Sequence, residues 1–337
     1  MKIIVFNCKD YDQEYLDSAN QTFGHELVYL ETALNEQTVC LAQDAGVVCV
    51  FVNDIVDAHV IERLAGNGIK LIALRCAGFN NVDLEACAQF NVQVVHVPAY
   101  SPFAVAEHAL ALIQTLNRGT HRAWLRVREG NFSLQGLMGF DLNGKTVGII
   151  GVGRIGGTFA GIMHGMGCRV IGYEPGIQNI DNVEYTSLDR LYEQSDIVSL
   201  HCPLNCDTYH LINEAALKQM KDGVMLINTS RGGVIDTDAA ITALETGKIG
   251  YLGLDVYEQE ADLFFQDLSD QGIHDEVFNH LMRFPNVLMT GHQAFFTHEA
   301  MVKISRTTLQ NIQDIEHAGH CENQIDETRL ANCNTTS

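Results

Sequence analysis

The sequence has little of several features that would place it in a specialised class of protein. Only five of its 337 residues are prolines, and 46% of all residues are apolar. This composition argues against disorder and favours a compact globular fold. No stretch approaches the roughly 20 consecutive apolar residues of a membrane span, and the N-terminal apolar run, 3–6, is too short for the core of a signal peptide. We therefore expect a cytoplasmic protein with no membrane partner.

Positive charge is also scarce. The chain has 21 Lys and Arg residues against 42 Asp and Glu, a formal net charge of −21. Proteins that bind a phosphate backbone need clustered positive charge, so no nucleic-acid partner is expected. The ten cysteines are too sparse for a secreted disulfide framework, which favours reduced thiols. They also lack two pairs at the spacing of a zinc site, so no metal is expected.

Short runs rich in valine and isoleucine alternate with longer amphipathic stretches along the chain. This is the pattern of strand–helix units around a parallel sheet, so the sequence predicts an α/β fold. Five candidate strands predict one small sheet and six later ones predict a second, larger sheet. The candidates are 2–6, 26–30, 46–52, 69–74 and 92–97, then 146–150, 169–172, 197–200, 224–228, 251–254 and 287–290. Helical spacing follows Ser101 and Pro102, which are suited to begin a helix, and recurs over 299–317.

A glycine-rich turn follows the first strand of the second series. Gly151, Gly153 and Gly156 form the pattern G-x-G-x-x-G between a strand and the start of a helix, the context that a dinucleotide site requires. Glu174 closes the next strand, 18 residues beyond Gly156, where a carboxylate can bind ribose hydroxyls and repel a 2′-phosphate. Arg154 could reach the pyrophosphate. These residues predict NAD rather than NADP, with an ordinary glycine turn and a solvated Glu174 as the alternatives.

Three polar residues follow later strands of the same series. Arg231, Glu260 and His292 each come after a strand end, and the carboxyl ends of parallel strands share one edge of the sheet. Arg231 could bind a substrate carboxylate through two parallel hydrogen bonds. His292 could donate a proton to a carbonyl oxygen, and Glu260 could orient its imidazole. Together they predict reduction of a 2-oxo acid, although each residue alone could be a surface charge or a core histidine.

An ordered series of motifs resembles the D-isomer-specific 2-hydroxyacid dehydrogenase family over nearly the whole chain. Besides the glycine turn, the motifs are LRCAGFNNVD at 74–83, VPAYSP at 97–102, AEH at 106–108, HCPL at 201–204, NTSRG at 228–232, DVYE at 255–258 with Glu260, and GHQAF at 291–295. The catalytic arginine, glutamate and histidine of the family fall on Arg231, Glu260 and His292. The resemblance therefore agrees with the interpretation drawn from the chemistry of these residues.

The resemblance implies a two-domain organisation. A flavodoxin-like catalytic domain would comprise 1–100 and 298–330, and a Rossmann NAD-binding domain with a doubly wound parallel sheet would be inserted at 101–297, leaving a tail at 331–337. The implied substrate contacts, in a cleft, are Ala77, Gly78, Phe79, Tyr100, Arg231 and Phe295. The implied cofactor contacts, beside the three glycines, are Arg154, Ile155, Glu174, Cys202, Pro203, Thr208, Thr229, Ser230 and Asp255. The helix after Ser101 resembles the dimer contact of the family, which implies a homodimer or a dimer of dimers.

The connection after Glu260 bears on the substrate. Residues 261–284 lengthen it, as in the lactate-specific, fermentative branch of the family, which implies pyruvate as substrate and D-lactate as product. The family resemblance also allows a bulkier 2-oxo acid such as phenylpyruvate, because Phe79 and Phe295 could stack on an aromatic ring. An NAD-sensing, corepressor-like binding protein is the alternative from another class. Glu174 stands where close members of the family usually carry aspartate, which affects the geometry of ribose binding.

Overall fold

The computed structural model describes residues 1–176, 180–260 and 263–325. They form two compact units, one comprising Met1–Ser101 and the chain from Phe296 onward, the other comprising Pro102–Phe295. The end of the predicted catalytic domain, 326–330, and the predicted tail, 331–337, lie outside the described residues. So do residues 261–262, the start of the long connection after Glu260.

The first unit begins with five parallel strands and the helices between them. Alternate residues of each strand enter two separate apolar clusters, so that Ile4 and Ile72 pack on one face of the sheet and Ile3 and Leu71 on the other. A strand buried on both faces reads as an uninterrupted apolar run, which is why these strands were predicted. The elements are β1 (Lys2–Val5), α1 (Asp10–Phe23), β2 (Glu26–Tyr29), β3 (Val47–Val50), α2 (Ala58–Gly66), β4 (Leu71–Leu74), α3 (Leu84–Gln89) and β5 (Gln93–Val95).

The second unit contains a seven-stranded sheet, preceded by two helices. Its elements are α4 (Pro102–Arg118), α5 (Thr120–Arg128), β6 (Thr146–Ile150), α6 (Arg154–Gly165), β7 (Arg169–Tyr173), β8 (Glu184–Tyr185), α7 (Leu188–Gln194), β9 (Ile197–Leu200), α8 (Glu214–Gln219), β10 (Val224–Asn228), α9 (Thr237–Glu245), β11 (Ile249–Leu254), α10 (Glu276–Leu281) and β12 (Val287–Met289). The strand order is β12-β11-β10-β9-β6-β7-β8 with every pair parallel. β7 and β8 are thus added on one side of β6, and β9 to β12 on the other. The order of strand addition therefore reverses between β6 and β9, and open α/β sheets bind ligands at such a switch point.

The C-terminal helix returns to the first unit. α11 (His298–Ala318) begins after the N-cap Thr297 and ends at Gly319, which has a left-handed backbone. Its buried residues Leu309 and Ile312 join the cluster that contains Ile3 and Leu71. β13 (Gln324–Ile325) then pairs antiparallel with β5, so the sheet order is β13-β5-β4-β3-β1-β2. This is the flavodoxin-like order with one added edge strand.

The α/β class is confirmed, and all eleven predicted strands are present with ends shifted by up to two residues. β8 and β13 were not predicted, because each is a two-residue edge strand with no apolar run. No described helix combines the length and the apolar composition that a membrane crossing needs.

Candidate active site

The glycine turn between β6 and α6 lies against the start of the segment after β9. Gly151 has a left-handed backbone (φ +91°), and a Cβ there would lie 2.5 Å from the backbone nitrogen of Cys202. A Cβ on Gly156 would lie 2.0 Å from the carbonyl oxygen of Gly151. The Gly151 N–H donates to the carbonyl oxygen of Tyr173 at 2.9 Å, which links the turn to the end of β7. Any side chain at Gly151 or Gly156 would therefore force these backbones apart.

The start of α6 fits the pyrophosphate of a dinucleotide. Its N-cap is Gly153, which offers no side chain to bond the first-turn N–H groups, and a Cβ built on Gly153 meets no atom within 4 Å. These N–H groups thus have no side-chain cap, and the helix dipole favours an anion there. Arg154 is exposed and Ile155 partly buried in the same first turn, and Glu174 directly follows β7. These residues could hold the pyrophosphate and ribose of NAD.

Several other predicted cofactor contacts already have internal partners. Thr208 Oγ1 donates to the carbonyl oxygen of Pro203 at 2.6 Å, and Ser230 Oγ donates to Asn228 Oδ1 at 2.9 Å. Thr229 differs, because its hydroxyl is buried and has no partner among the described residues. A buried hydroxyl without a partner is costly, so Thr229 is suited to bind a ligand. Burial raises the pKa of the Cys202 thiol to about 11, which keeps this neighbour of Gly151 uncharged.

His292 and Glu260 form a direct pair. His292 Nδ1 and Glu260 Oε1 are 2.8 Å apart, and the Tyr257 N–H donates to the other carboxylate oxygen, Oε2, at 3.0 Å. The side chains are 14% and 23% exposed, so the pair is largely buried but within reach of a small molecule. Because the bond to Glu260 uses Nδ1, Nε2 is the ring nitrogen that can serve a substrate.

A buried carboxylate holds the segment that carries His292. Asp255 is fully buried, and its oxygens accept from the N–H groups of Gln293 at 2.9 Å and Ala294 at 2.8 Å, and from Thr290 Oγ1 at 2.5 Å. The N–H of His292 donates to the Asp255 carbonyl oxygen at 2.7 Å, and His292 has a left-handed backbone (φ +52°). Asp255 thus positions His292 through its backbone. The contact between Asp255 and NAD that the resemblance implies stays a prediction.

Arg231 lies on the loop after β10. Its Nη1 donates to the carbonyl oxygen of Ser230 at 2.6 Å, and no hydrogen bond joins its guanidinium to Glu260 or His292 within the described ranges. The backbone of the next residue touches the turn that carries Glu260, because a Cβ on Gly232 would lie 2.2 Å from the carbonyl group of Tyr257. The loop that carries Arg231, here called the arginine loop, therefore packs directly against the turn 257–260, here called the acid turn.

Another histidine of this unit, His201, is unsuited to donate a proton. Burial lowers its pKa to about 3, and its Nε2 is 2.9 Å from Ser199 Oγ. The imidazole is therefore neutral at physiological pH. His108 is also engaged, with Nε2 3.0 Å from Thr290 Oγ1. His292 is consequently the better candidate for the acid. Among the described residues there is no cluster of three or more His, Cys, Asp or Glu side chains that could hold a metal ion.

The predicted substrate loop of the first unit follows β4. The carbonyl oxygen of Ala77 lies 2.8 Å from His96 Nδ1, and that of Gly78 accepts from Cys76 Sγ at 3.2 Å. The ring of Phe79 packs edge-on against His96 at 5.6 Å. The N–H groups of residues 77–79 have no acceptor in the part of the chain that the structure describes, and three such groups suit a carboxylate. Tyr100 is partly buried in this unit.

Phe265 is a neighbour of His292 that was not identified from the sequence. Its ring centroid lies 5.7 Å from that of His292, and its backbone is left-handed (φ +63°). It belongs to the long connection after Glu260, and the aromatic pair at 264–265 was the available signal. The predicted pocket residue Phe295 is buried in the same unit.

Comparisons with known proteins agree on one family. Residues 110–294 match the NAD-binding domain of the D-isomer-specific 2-hydroxyacid dehydrogenases. D-lactate dehydrogenase of Escherichia coli K12 is 51% identical over 328 residues, covering 96% of this chain and 100% of that protein. 2-Hydroxyacid dehydrogenase A of Aspergillus oryzae is 52% identical, covering 96% and 95% of the two chains. The apo structure of the E. coli D-lactate dehydrogenase superposes with a TM-score of 0.88 at 49% identity, covering 97% of this chain and 100% of that one.

Proposed function

The chain belongs to the D-isomer-specific 2-hydroxyacid dehydrogenase family and is an NAD-dependent oxidoreductase, and on that premise we propose that it reduces pyruvate to D-lactate with NADH. The observation that carries this proposal is the 2.8 Å bond between His292 and Glu260 in the unit that contains the dinucleotide fingerprint. An acid–base pair in the same unit as a dinucleotide site suits a reaction in which a carbonyl gains a hydride and a proton.

The proton step is assigned to His292. Glu260 fixes the ring through Nδ1, so protonated Nε2 donates to the carbonyl oxygen of the 2-oxo acid and accepts that proton again in the reverse direction. The Glu260 carboxylate also stabilises the charged imidazolium, as the carboxylates of other catalytic histidine pairs do. When bound, NADH supplies the hydride to the carbonyl carbon. Phe265, whose ring packs beside His292, shields the proton donor from solvent.

Substrate binding is assigned to Arg231 and to the loop 77–79. The fork of Arg231 matches a carboxylate with two parallel hydrogen bonds, and its charge polarises the adjacent carbonyl. Residues 77–79 contribute N–H groups without another described acceptor, and Tyr100 and Phe295 are assigned to substrate binding. Residues 1–101 with the returning α11 then act as the catalytic domain, and residues 102–295 as the NAD-binding domain.

The decisive experiment is NADH oxidation by the purified full chain with pyruvate, with the product resolved against chiral lactate standards. We expect D-lactate, and a kcat/KM for pyruvate above that for phenylpyruvate and for branched 2-oxo acids. His292→Ala should abolish turnover while NADH still binds, and Arg231→Lys should raise the KM for pyruvate, because a lysine cannot form the fork. Absence of D-lactate, or turnover by His292→Ala near that of the unmodified enzyme, would refute the proposal.

We further propose a homodimer in the cytoplasm. The resemblance implies α4, the helix after Ser101, as the dimer contact, and α4 exposes Phe103. The segment directly after α4 extends this apolar exposure, with Leu134 81% and Met138 92% exposed and Trp124 and Phe132 also prominent. Exposed apolar side chains concentrated in one short segment favour a protein interface. Two copies of the segment could cover each other in a symmetric contact. No two of the described cysteines form a disulfide, which supports a reducing compartment.

A further inference from the structure

A second histidine–glutamate pair lies close to the first. His210 Nε2 and Glu258 Oε1 are 2.6 Å apart, and both side chains are partly buried. The other oxygen of Glu258, Oε2, accepts from Thr237 Oγ1 at 2.8 Å and from the Thr237 N–H at 3.4 Å, at the start of α9. The carboxylate is thus bonded from two sides and placed at a helix N-terminus, which stabilises its negative charge. Neither member of the pair has a role in the proposed reaction.

The two partners belong to different functional segments. Glu258 lies in the turn 257–260, two residues before Glu260. His210 follows Thr208, a predicted cofactor contact, and its N–H donates to the carbonyl oxygen of Gly233 at 2.9 Å, just beyond Arg231. The pair therefore joins the acid turn to the segment after β9, and the His210 backbone adds a link to the arginine loop.

His210 is held in place by more than this bond. Its backbone is left-handed (φ +49°), a conformation that costs a residue with a Cβ some free energy and persists only where its surroundings impose it. The ring of Tyr209 stacks on its imidazole with centroids 4.0 Å apart and planes 14° apart. Asp236, the N-cap of α9, has a carboxylate oxygen 4.0 Å from its other ring nitrogen. The imidazole thus presents Nε2 to Glu258 in one fixed orientation.

We propose that His210 and Glu258 form a positioning pair for the catalytic site, fixing the turn 257–260 so that Glu260 holds His292 in the orientation that transfers the proton. The inference rests on the proposed function, since it requires Glu260 and His292 to be catalytic. Glu260 has its own link within the turn, to the Tyr257 N–H, so the pair acts on the turn as a whole. Its loss should lower kcat and leave NADH binding nearly unchanged.

The test is a double-mutant cycle on the full chain with His210→Gln, Glu258→Gln and the double variant. We expect each single variant to lose about 10-fold in kcat with pyruvate, and the double variant to lose no more than about twofold beyond the worse single one, because both changes remove one interaction. The Kd for NADH should stay within about twofold. Glu258→Ala should lose more than Glu258→Gln, which keeps an acceptor for Thr237. Unchanged kcat in both single variants, or multiplicative losses in the double variant, would overturn the proposal.

A third histidine–glutamate pair in the same unit is a matched control. His280 Nε2 lies 3.5 Å from Glu245 Oε1, at the other end of α9 and far more exposed. His280→Gln should keep kcat within about twofold, while a drop equal to that of His210→Gln would contradict a specific role for the pair. His292→Ala separates this inference from the proposed function. If His292→Ala keeps turnover, the proposed function fails; if it loses turnover while His210→Gln and Glu258→Gln do not, only the positioning pair fails.

Discussion

Replacing Gly232 with alanine tests how tightly the arginine loop packs on the acid turn. A Cβ at this position would lie 2.2 Å from the carbonyl carbon and oxygen of Tyr257 and 2.4 Å from the nitrogen of Glu258, where real Cβ atoms essentially never approach within 3.0 Å. The obstructing atoms are backbone, so no side-chain rotation relieves the contact. The loop of Arg231 and the turn of Glu260 must therefore separate by about 0.8 Å. A displacement of this size at reacting groups costs on the order of 100-fold in rate.

The Gly232→Ala enzyme should thus lose roughly 100-fold in kcat/KM for pyruvate in the NADH oxidation assay, with overpacking destabilising the fold by about 1–3 kcal/mol in thermal unfolding. Gly233→Ala is the matched control, because its Cβ would lie 3.3 Å from a methyl group of Leu204 and 3.7 Å from the ring of Tyr209, and both are side-chain rather than backbone atoms. That variant should stay within about threefold of the unmodified enzyme. A folded Gly232→Ala protein with normal kcat/KM would show that the two loops do not share a rigid geometry.

Three further perturbations probe the cofactor site, the core and the exposed surface. Glu174→Gln should raise the kcat/KM ratio of NADPH to NADH by about 10-fold, because it removes a charge that repels the 2′-phosphate; an unchanged ratio would show that Glu174 does not face the ribose. The lowered pKa of His201, about 3, means that below about pH 6.5 the unfolded state binds a proton that the folded state excludes. The free energy of unfolding should therefore fall by about 2 kcal/mol between pH 7 and pH 5. The Tm of His201→Gln should fall less over that interval than the Tm of the unmodified enzyme. Leu134→Ser with Met138→Ser should convert dimers to monomers in light scattering, and a persistent dimer would exclude this surface.

The fold was predictable where the burial of an element determines which residue types its sequence can contain. A strand covered on both faces must be apolar at every position, so Val47–Val50 and Leu71–Leu74 stand out without any knowledge of their partners. β8 has no such signal, since both of its residues are exposed. Periodicity also could not assign the unit to which α11 belongs, because an apolar helix face does not specify its sheet. The resemblance placed α11 in the catalytic domain, and its packing on Ile3 and Leu71 puts it in the first unit.

The candidate site was predictable in part, where local backbone geometry or the ends of parallel strands determine the position of a residue. Gly151, Gly153 and Gly156 follow from local backbone geometry, and Glu260 and His292 follow from the rule that parallel strands end at one edge. The bond between the last two was a chemical expectation that the geometry supports at 2.8 Å. Phe265 and His210 were not found, because their importance depends on loop paths between strands. No periodicity encodes such paths.

The buried carboxylate of Asp255 fixes the position of the segment that carries His292. Its oxygens are occupied by Thr290, Gln293 and Ala294, and it is fully removed from solvent. Three hydrogen-bond donors satisfy this buried carboxylate, so its position is fixed relative to β11. The same bonds fix the strained left-handed backbone of His292, whose free-energy cost the surrounding contacts offset. His292, the proposed proton donor, is therefore held from two directions, through its backbone by Asp255 and through Nδ1 by Glu260, which leaves Nε2 for a substrate.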